Sequence, residues 1–278
     1  MGFKITFLGT GGGRHTTMYQ SRSTGGMLME HAGGIIHADP GPSALVQMRK
    51  IHYDPARTSS VIVSHAHPDH YSDAECVIEG MTYGGWKKRG CLYGSRTVIE
   101  GVDGLGPCLS KYHMDIVSGT HIFKPGDVLD IDGLRTDVCR AEHSDPTNVG
   151  FKFNTDAGIV SYVSDTSFSP EIAEQYKGTR VLILPVTTPW DLRIHYHLCT
   201  EDAAKFASIV KPELTVMIHF GIVIIRRGPK NEAALIEKHT GLRAVAAHDL
   251  MTLDVGDDLV FGDAETYDDG EWIPPSSV

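Results

Sequence analysis

The chain has 278 residues, 41% of them hydrophobic, and a formal net charge of −10. That much apolar material supports one large α/β domain with a real core, and no Pro/Ser-rich or charged linker divides it, so residues 1–278 are expected to form a single domain. The negative charge disfavours long nucleic acid as a partner; the five cysteines, an odd number without a CxxC pair, suit a reducing cytosol; no apolar run approaches membrane-spanning length.

Taken in chain order, the first predicted strand, ITFLG, runs directly into a Gly-rich turn at 9–13. Residues 1–6 fit the myristoylation pattern formally, but they read as this strand and no polybasic segment follows. The turn is not a nucleotide loop: the P-loop Lys-Ser/Thr is missing and Arg14 occupies the third glycine position of the dinucleotide pattern. It is expected to pass near a catalytic centre, with Arg14 and His15 as candidate substrate contacts. A short strand at 34–37 and a helix at 43–50 flank Asp39, in HADPGPSAL, whose simplest role is to cap that helix.

The apolar, β-branched run SVIV at 60–63 predicts a buried strand, and it ends in SHAHPDH. His65, His67, Asp69 and His70 thus bring three imidazoles and a carboxylate together where a strand ends. Pro68 biases His67 away from helix and turns the chain sharply, and Asp69 is placed to cap a helix at 71–81. Imidazole with carboxylate suits zinc first, manganese or iron as alternatives, and calcium poorly. The stretch 80–106 is Gly-rich with Tyr83, Trp86, Tyr93 and the run Lys87, Lys88, Arg89; it reads as a loop insertion, either substrate-facing or an ordinary surface excursion.

Three further polar residues each follow an apolar run: His143 after 134–139, Asp165 after 159–163, and His219 after 215–218. His197 precedes a helix for which Thr200 is the expected N-cap, with Glu201 and Asp202 in its first turn and Ala203, Ala204, Phe206, Ala207 and Val210 on one face. Arg226 and Arg227 lie in a predicted loop beyond His219, as candidate phosphate contacts, before a helix at 230–239. An acidic tail, 255–278, closes the chain.

The order HxHxDH, His, Asp in a strand-terminal SDT, then His resembles the metallo-β-lactamase superfamily. The resemblance implies a four-layer αβ/βα sandwich. It implies one metal on His65, His67 and His143, a second on Asp69, His70 and His219, and Asp165 bridging them. The family's first motif carries an aspartate where Asp39 stands, which implies a role orienting a metal-bound histidine. His143 lacks the preceding glycine typical of glyoxalase II and lactonases, His67 replaces the glutamate of flavodiiron proteins, and Asp165 replaces the cysteine of the commonest zinc β-lactamases. What remains is similar to ribonuclease Z and its small-molecule phosphodiesterase relatives. In ribonuclease Z a histidine precedes a Thr-capped, Ala-rich helix as His197 does, a position from which it donates a proton to a leaving group or stabilises a phosphate oxygen. That enzyme's tRNA-gripping arm is commonly inserted between the third and fourth motifs, and here only 22 positions (165 − 143) separate them.

The expected activity is dinuclear, metal-dependent hydrolysis of a small or cyclic phosphodiester through a metal-bridging hydroxide, with Asp69 as a second candidate for the proton acceptor and His197 as the candidate acid. The expected setting is cytoplasmic, with no membrane partner, and a homodimer is an assembly the sequence permits. Thioester or lactone hydrolysis, ribonuclease Z-like RNA 3′-processing and metal binding without turnover are the alternatives.

Overall fold

The computed structural model describes residues 2–267 and 272–273. Asp268, Asp269 and Glu271 of the expected acidic tail lie outside the described residues.

In chain order the strands are β1 (Phe3–Phe7), β2 (Met27–His31), β3 (Gly34–Ala38), β4 (Ser60–Val63), β5 (Cys91–Ser95), β6 (Gly119–Phe123), β7 (Val128–Ile131) and β8 (Leu134–Arg140). They continue as β9 (Val149–Thr155), β10 (Gly158–Tyr162), β11 (Thr179–Thr188), β12 (Leu198–Cys199), β13 (Leu214–Ile218), β14 (Ala244–Ala246), β15 (Met251–Val255) and β16 (Leu259–Asp263). The helices are α1 (Arg14–Tyr19), α2 (Ala44–Lys50), α3 (Pro68–Tyr71), α4 (Ala74–Met81), α5 (Arg96–Ile99), α6 (Lys111–Ile116), α7 (Pro170–Glu174), α8 (Thr200–Val210), α9 (Ile222–Arg227) and α10 (Pro229–Thr240).

These elements gather into two compact units, one of residues 1–9, 23–123 and 249–278, the other of residues 10–22 and 124–248. Each has its own large mixed sheet and its own helices, which are the αβ and βα halves that the expected fold comprises. In the first unit the order is β16-β15-β1-β2-β3-β4-β5-β6. Ala44 and Met48 of α2 and Ala74, Val77, Ile78 and Met81 of α4 pack with Val61, Val63 and Leu92 of the sheet, all nearly or fully buried. The alternate positions Met29, Ile36 and Ile62 are apolar too, so β2, β3 and β4 carry apolar side chains on both faces, whereas β1 alternates Phe3, Ile5 and Phe7 with Lys4 and Thr6.

In the second unit the order is β14-β13-β11-β10-β9-β8-β7, with β12 on β11. Ala203, Phe206 and Val210 of α8, Ile172 of α7 and Ile236 of α10 pack on Leu182, Leu184 and Val186. Strands β10, β11 and β13 are mutually parallel, so their C-terminal ends open on one edge, where open α/β sheets place ligands.

Several local expectations change. The helix expected at 71–81 is broken into α3 and α4, and Asp69 does not cap it: Pro68 takes the first helical position, His67 is the N-cap residue, and Asp69 falls within the first turn. Thr200 is the first residue of α8 rather than its cap, because Cys199 holds the extended backbone that precedes it, and the Thr200 hydroxyl faces the Thr188 carbonyl instead. Arg226 and Arg227 lie in the last turn of α9, not in a loop. The stretch 80–106, expected as a loop, contains α5 and all of β5, which pairs with β4 and β6. Its first part stays at the surface, as do Asp103, Gly104 and Gly106 at its end; in the first part Lys87 lies over the Tyr83 ring and Arg89 donates to the Ala56 carbonyl. Within the expected tail, 259–263 is the edge strand β16. No helix among the described residues is long and apolar enough to cross a membrane.

Candidate metal centre

In the first unit the ligand stretch leaves β4 at Ser64 and is held from both ends by one carboxylate. Asp39 follows β3 with a left-handed backbone (φ 51°), a conformation that an aspartate adopts more readily than most residues. Its Oδ1 accepts the Ser64 N–H at 2.7 Å, and its Oδ2 accepts the Ser64 hydroxyl at 2.7 Å and the His70 Nδ1–H at 3.0 Å. Because the Ser64 hydroxyl donates to Asp39, its lone pair is left to accept from His65 Nδ1, 3.0 Å away. His65 and His70 are thereby both turned so that Nε2 is the outward nitrogen. Glycine is required beside this stretch: a Cβ on Gly41 would stand 1.9 Å from the Asp69 carbonyl oxygen. Asp39 therefore orients both rings, and the helix-cap role is not what its hydrogen bonds show; Ser43 precedes α2 with no side-chain cap bond.

The donor atoms suit a metal. His65 Nε2 and His67 Nδ1 are 3.1 Å apart, close to the roughly 3.3 Å that two nitrogens take on one tetrahedral ion with bonds of about 2.0–2.1 Å. Asp69 Oδ2 lies 3.9 Å from His70 Nε2.

In the second unit the same chemistry is assembled from separate strand ends. Asp165 follows β10, and its Oδ2 lies 3.2 Å from His219 Nε2, 3.4 Å from His197 Nε2 and 3.9 Å from His143 Nε2. Each ring is anchored through its other nitrogen: His143 Nδ1–H donates to the Tyr196 carbonyl at 3.0 Å, His197 Nδ1–H to the His195 carbonyl at 3.0 Å, and His219 Nδ1 meets the Thr187 hydroxyl at 3.0 Å. Three imidazoles thus present Nε2 to one carboxylate oxygen, with the tautomers of His143 and His197 set by carbonyls that can only accept. Asn148 donates to the Asp165 carbonyl at 2.5 Å, and the Thr166 hydroxyl of the SDT segment accepts the Glu142 N–H at 2.9 Å, which ties the loops of Asp165 and His143 together. Asp165, His143 and His219 are buried, while His197 keeps a partly exposed face.

Four of these positions hold non-glycine residues at positive φ: Asp39 (51°), Ser164 (60°), Tyr196 (65°) and His219 (60°). Such conformations persist where surrounding structure over-determines them, and they gather around functional groups. The Gly-rich turn has its place here as well. Gly12 lies flat against the His219 ring, where a Cβ would stand 2.2 Å from ring carbons, and its N–H donates to the Phe220 carbonyl at 3.2 Å.

The remaining candidates are placed elsewhere. Arg14 and His15 stand exposed on α1, Arg226 is exposed, and Arg227 is paired with Asp191. Ser64, Asn148, Thr187 and the carbonyls of His195 and Tyr196 were not anticipated. Ser64 stands inside the recognised motif, and Thr187 ends the apolar run VLILPV of β11; backbone carbonyls have no sequence signal.

A model of the beta-lactamase superfamily domain matches residues 35–220, more than half of the chain, and that span contains all seven candidate ligands from His65 to His219. An uncharacterized protein of Methanocaldococcus jannaschii is 36% identical over 249 residues, covering 89% of this chain and 93% of its own. Ribonuclease Z of Methanosarcina acetivorans is 31% identical over 147 residues, 52% of this chain and 46% of that enzyme, so the chain spans under half of its length. Among solved structures, the metallo-beta-lactamase fold protein YhfI of Bacillus subtilis superposes with a TM-score of 0.76 at 19% identity, over 91% of this chain and 100% of that one. A diphosphatase of the PhnP family superposes with a TM-score of 0.69 at 17% identity, over 91% and 97%. The family match, the relative aligned over nearly its full length and the paired α/β halves agree: the chain belongs to the beta-lactamase superfamily, a family of metal-dependent hydrolases with the metallo-β-lactamase fold.

Proposed function

We propose that the protein is a phosphodiesterase that uses two divalent metal ions, zinc first among the candidates, on a small or cyclic phosphodiester. His65, His67 and His143 would hold one ion, Asp69, His70 and His219 the other, and Asp165 both. When bound, such ions lower the pKa of water towards neutrality and polarise a phosphoryl group for in-line attack. The chain's own residues supply the rest. Asp39, Ser64, Thr187 and the loop carbonyls fix the rings, Asp69 would take a proton, and His197, when its ring carries a proton on Nε2 as well as on Nδ1, would give the Nε2 proton to the departing oxygen.

His197 is the observation that carries this reading. It is an imidazole beyond the seven expected ligands, with Nδ1–H tied to a carbonyl and Nε2 3.4 Å from Asp165 Oδ2. An alkoxide leaving group needs a proton, whereas a thiolate leaving from a thioester needs one far less. The relatives support the phosphodiester class: ribonuclease Z by sequence, and a diphosphatase and the short form of human tRNase Z by fold. Net charge favours a compact substrate over a long RNA, and 143–165 is filled by β9 and β10. Of the run Lys87 to Arg89, Lys87 lies over the Tyr83 ring and Arg89 donates to the Ala56 carbonyl.

The test is a panel of bis-p-nitrophenyl phosphate, a cyclic nucleotide, a lactone, a glutathione thioester and a 3′-extended tRNA precursor, assayed with metal-loaded protein. The diesters should be turned over with the highest kcat/KM, with weak dependence on salt. Faster turnover of the thioester or lactone would refute the reading, and efficient, strongly salt-dependent trimming of the tRNA precursor would replace it with ribonuclease Z activity.

A further inference from the structure

The loop at 189–197 does not merely border the centre; its backbone sets two of the rings. Successive carbonyls, those of His195 and Tyr196, accept the Nδ1–H of His197 and of His143. Tyr196 sits between them at φ 65°, a conformation that a bulky residue holds only under constraint. Three residues upstream of Tyr196, Arg193 ties the loop to α8. Its Nη1 donates to both oxygens of Asp202 and its Nη2 to Glu201, each at 2.5 Å, so that one guanidinium bridges the two carboxylates in the first turn of α8.

Asp202 is a firm anchor. Its side chain is only 8% exposed, and Cys199 Sγ also donates to it at 3.2 Å. The other end of the loop is fastened separately: the Trp190 N–H donates to Glu232 at 3.0 Å, and the Trp190 ring stacks on His239. Arg193, Tyr196, His197, Asp202 and Lys205 all line a cavity of about 470 Å³. Within the lining Arg193 pairs with Asp202, and Lys205 pairs with Glu201 beside it at 2.8 Å, so these groups brace this wall of the cavity.

We propose that Arg193 is a positioning residue: by clamping the loop onto Glu201 and Asp202 it holds the His195 and Tyr196 carbonyls where they fix the tautomer and aim of His197 and His143. An Arg–carboxylate fork fixes direction as well as distance, which a single point charge does not. The inference rests on the proposed phosphodiesterase only for the role of His197 as acid; the tautomer statement stands on the hydrogen bonds alone.

The experiment compares wild type with Arg193→Met, Arg193→Lys and Asp202→Asn, the last loosening the clamp from its other side. In metal-free protein, ¹⁵N-resolved imidazole spectra should show His143 and His197 protonated at Nδ1 in wild type, and tautomer mixtures in Arg193→Met and Asp202→Asn, with partial recovery in Arg193→Lys. At saturating metal, Arg193→Met should lose roughly 10-fold or more in kcat on a diester with an alkyl leaving group and less on bis-p-nitrophenyl phosphate, and its added loss in the double variant with His197→Ala should be smaller than its loss in wild type, the remainder passing through His143. Unchanged tautomers in both clamp variants, or equal losses on the two diesters, would overturn the clamp. If His197→Ala itself fails to separate good from poor leaving groups, the acid role falls, and the spectra alone then decide for or against Arg193.

Discussion

In the first unit four candidate ligands come from the seven residues Ser64 to His70, and one carboxylate, Asp39, holds both ends of that stretch. In the second, three come from the ends of β8, β10 and β13, and each histidine is fixed by a different neighbour: a loop carbonyl for His143, a hydroxyl for His219. Chain connectivity and Asp39 keep the first set together. The second exists only while the strands of its sheet stay in register, so its errors arise from packing at a distance. The contrast implies that the first set has one point of failure and that the second has several, each partial.

The largest expected effect belongs to Asp165, the one carboxylate on which the dispersed set converges. Asp165→Ala should abolish hydrolysis and reduce bound metal from two ions per chain to one or none, read by elemental analysis of fully loaded protein. Full activity or undiminished metal in that variant would break the comparison outright.

His197→Ala should lower kcat by roughly 10²- to 10⁴-fold with metal content intact, because the ring touches the centre without being among the expected ligands. The loss should shrink for p-nitrophenolate, which leaves without a proton. Equal losses for good and poor leaving groups would make His197 a phosphate-binding group instead.

The single point of failure in the first unit is tested by Asp39→Asn, which keeps the size but replaces one of the two acceptor oxygens that serve Ser64 and His70 with an NH2 donor. Metal affinity should fall by about 10–100-fold. Thr187→Val, the counterpart in the second unit, removes one neutral contact from one ring and should cost less. Similar losses from the two substitutions, measured by competition with a chelator, would show that the two sets are not held differently after all.

The smallest effect concerns stability. His37 is fully buried, with Nε2–H donated to the Gly25 carbonyl, and burial lowers its pKa from 6.5 to about 4. A histidine held neutral in the folded state is fully stabilising above its unfolded pKa, and that contribution is lost as pH falls from 6.5 towards 4, on the order of 3 kcal/mol in all. Urea unfolding followed across this window should weaken with acid in wild type and flatten in His37→Gln, which retains a donor for Gly25. An equal slope in both would remove His37 from the account.

Where an apolar β-branched run ended in a polar ligand type, the sequence was sufficient. SVIV at β4 and the runs at β8, β10 and β13 predicted both the strands and the residues at their ends, since such a run buries itself and must surface at its terminus. Helix boundaries near Asp69 and Thr200 shifted by a few residues, because capping depends on backbone angles that composition reports weakly. Strand β5 was hidden in a Gly-rich stretch; Gly94 packs where a Cβ would stand 2.7 Å from Ile99, and a pattern of glycines alone reads as a loop.

By itself the sequence determined the ligand types, their order and their place at strand ends, since these follow from local periodicity and from side chains that metals bind. Only the tertiary structure decided how each ring is aimed. The Tyr196 carbonyl that holds His143, the Thr187 hydroxyl and the flat face of Gly12 come from segments far from the rings they serve, and a backbone carbonyl is the same group at every residue. Its role is set by where the fold carries it, which no single residue type encodes.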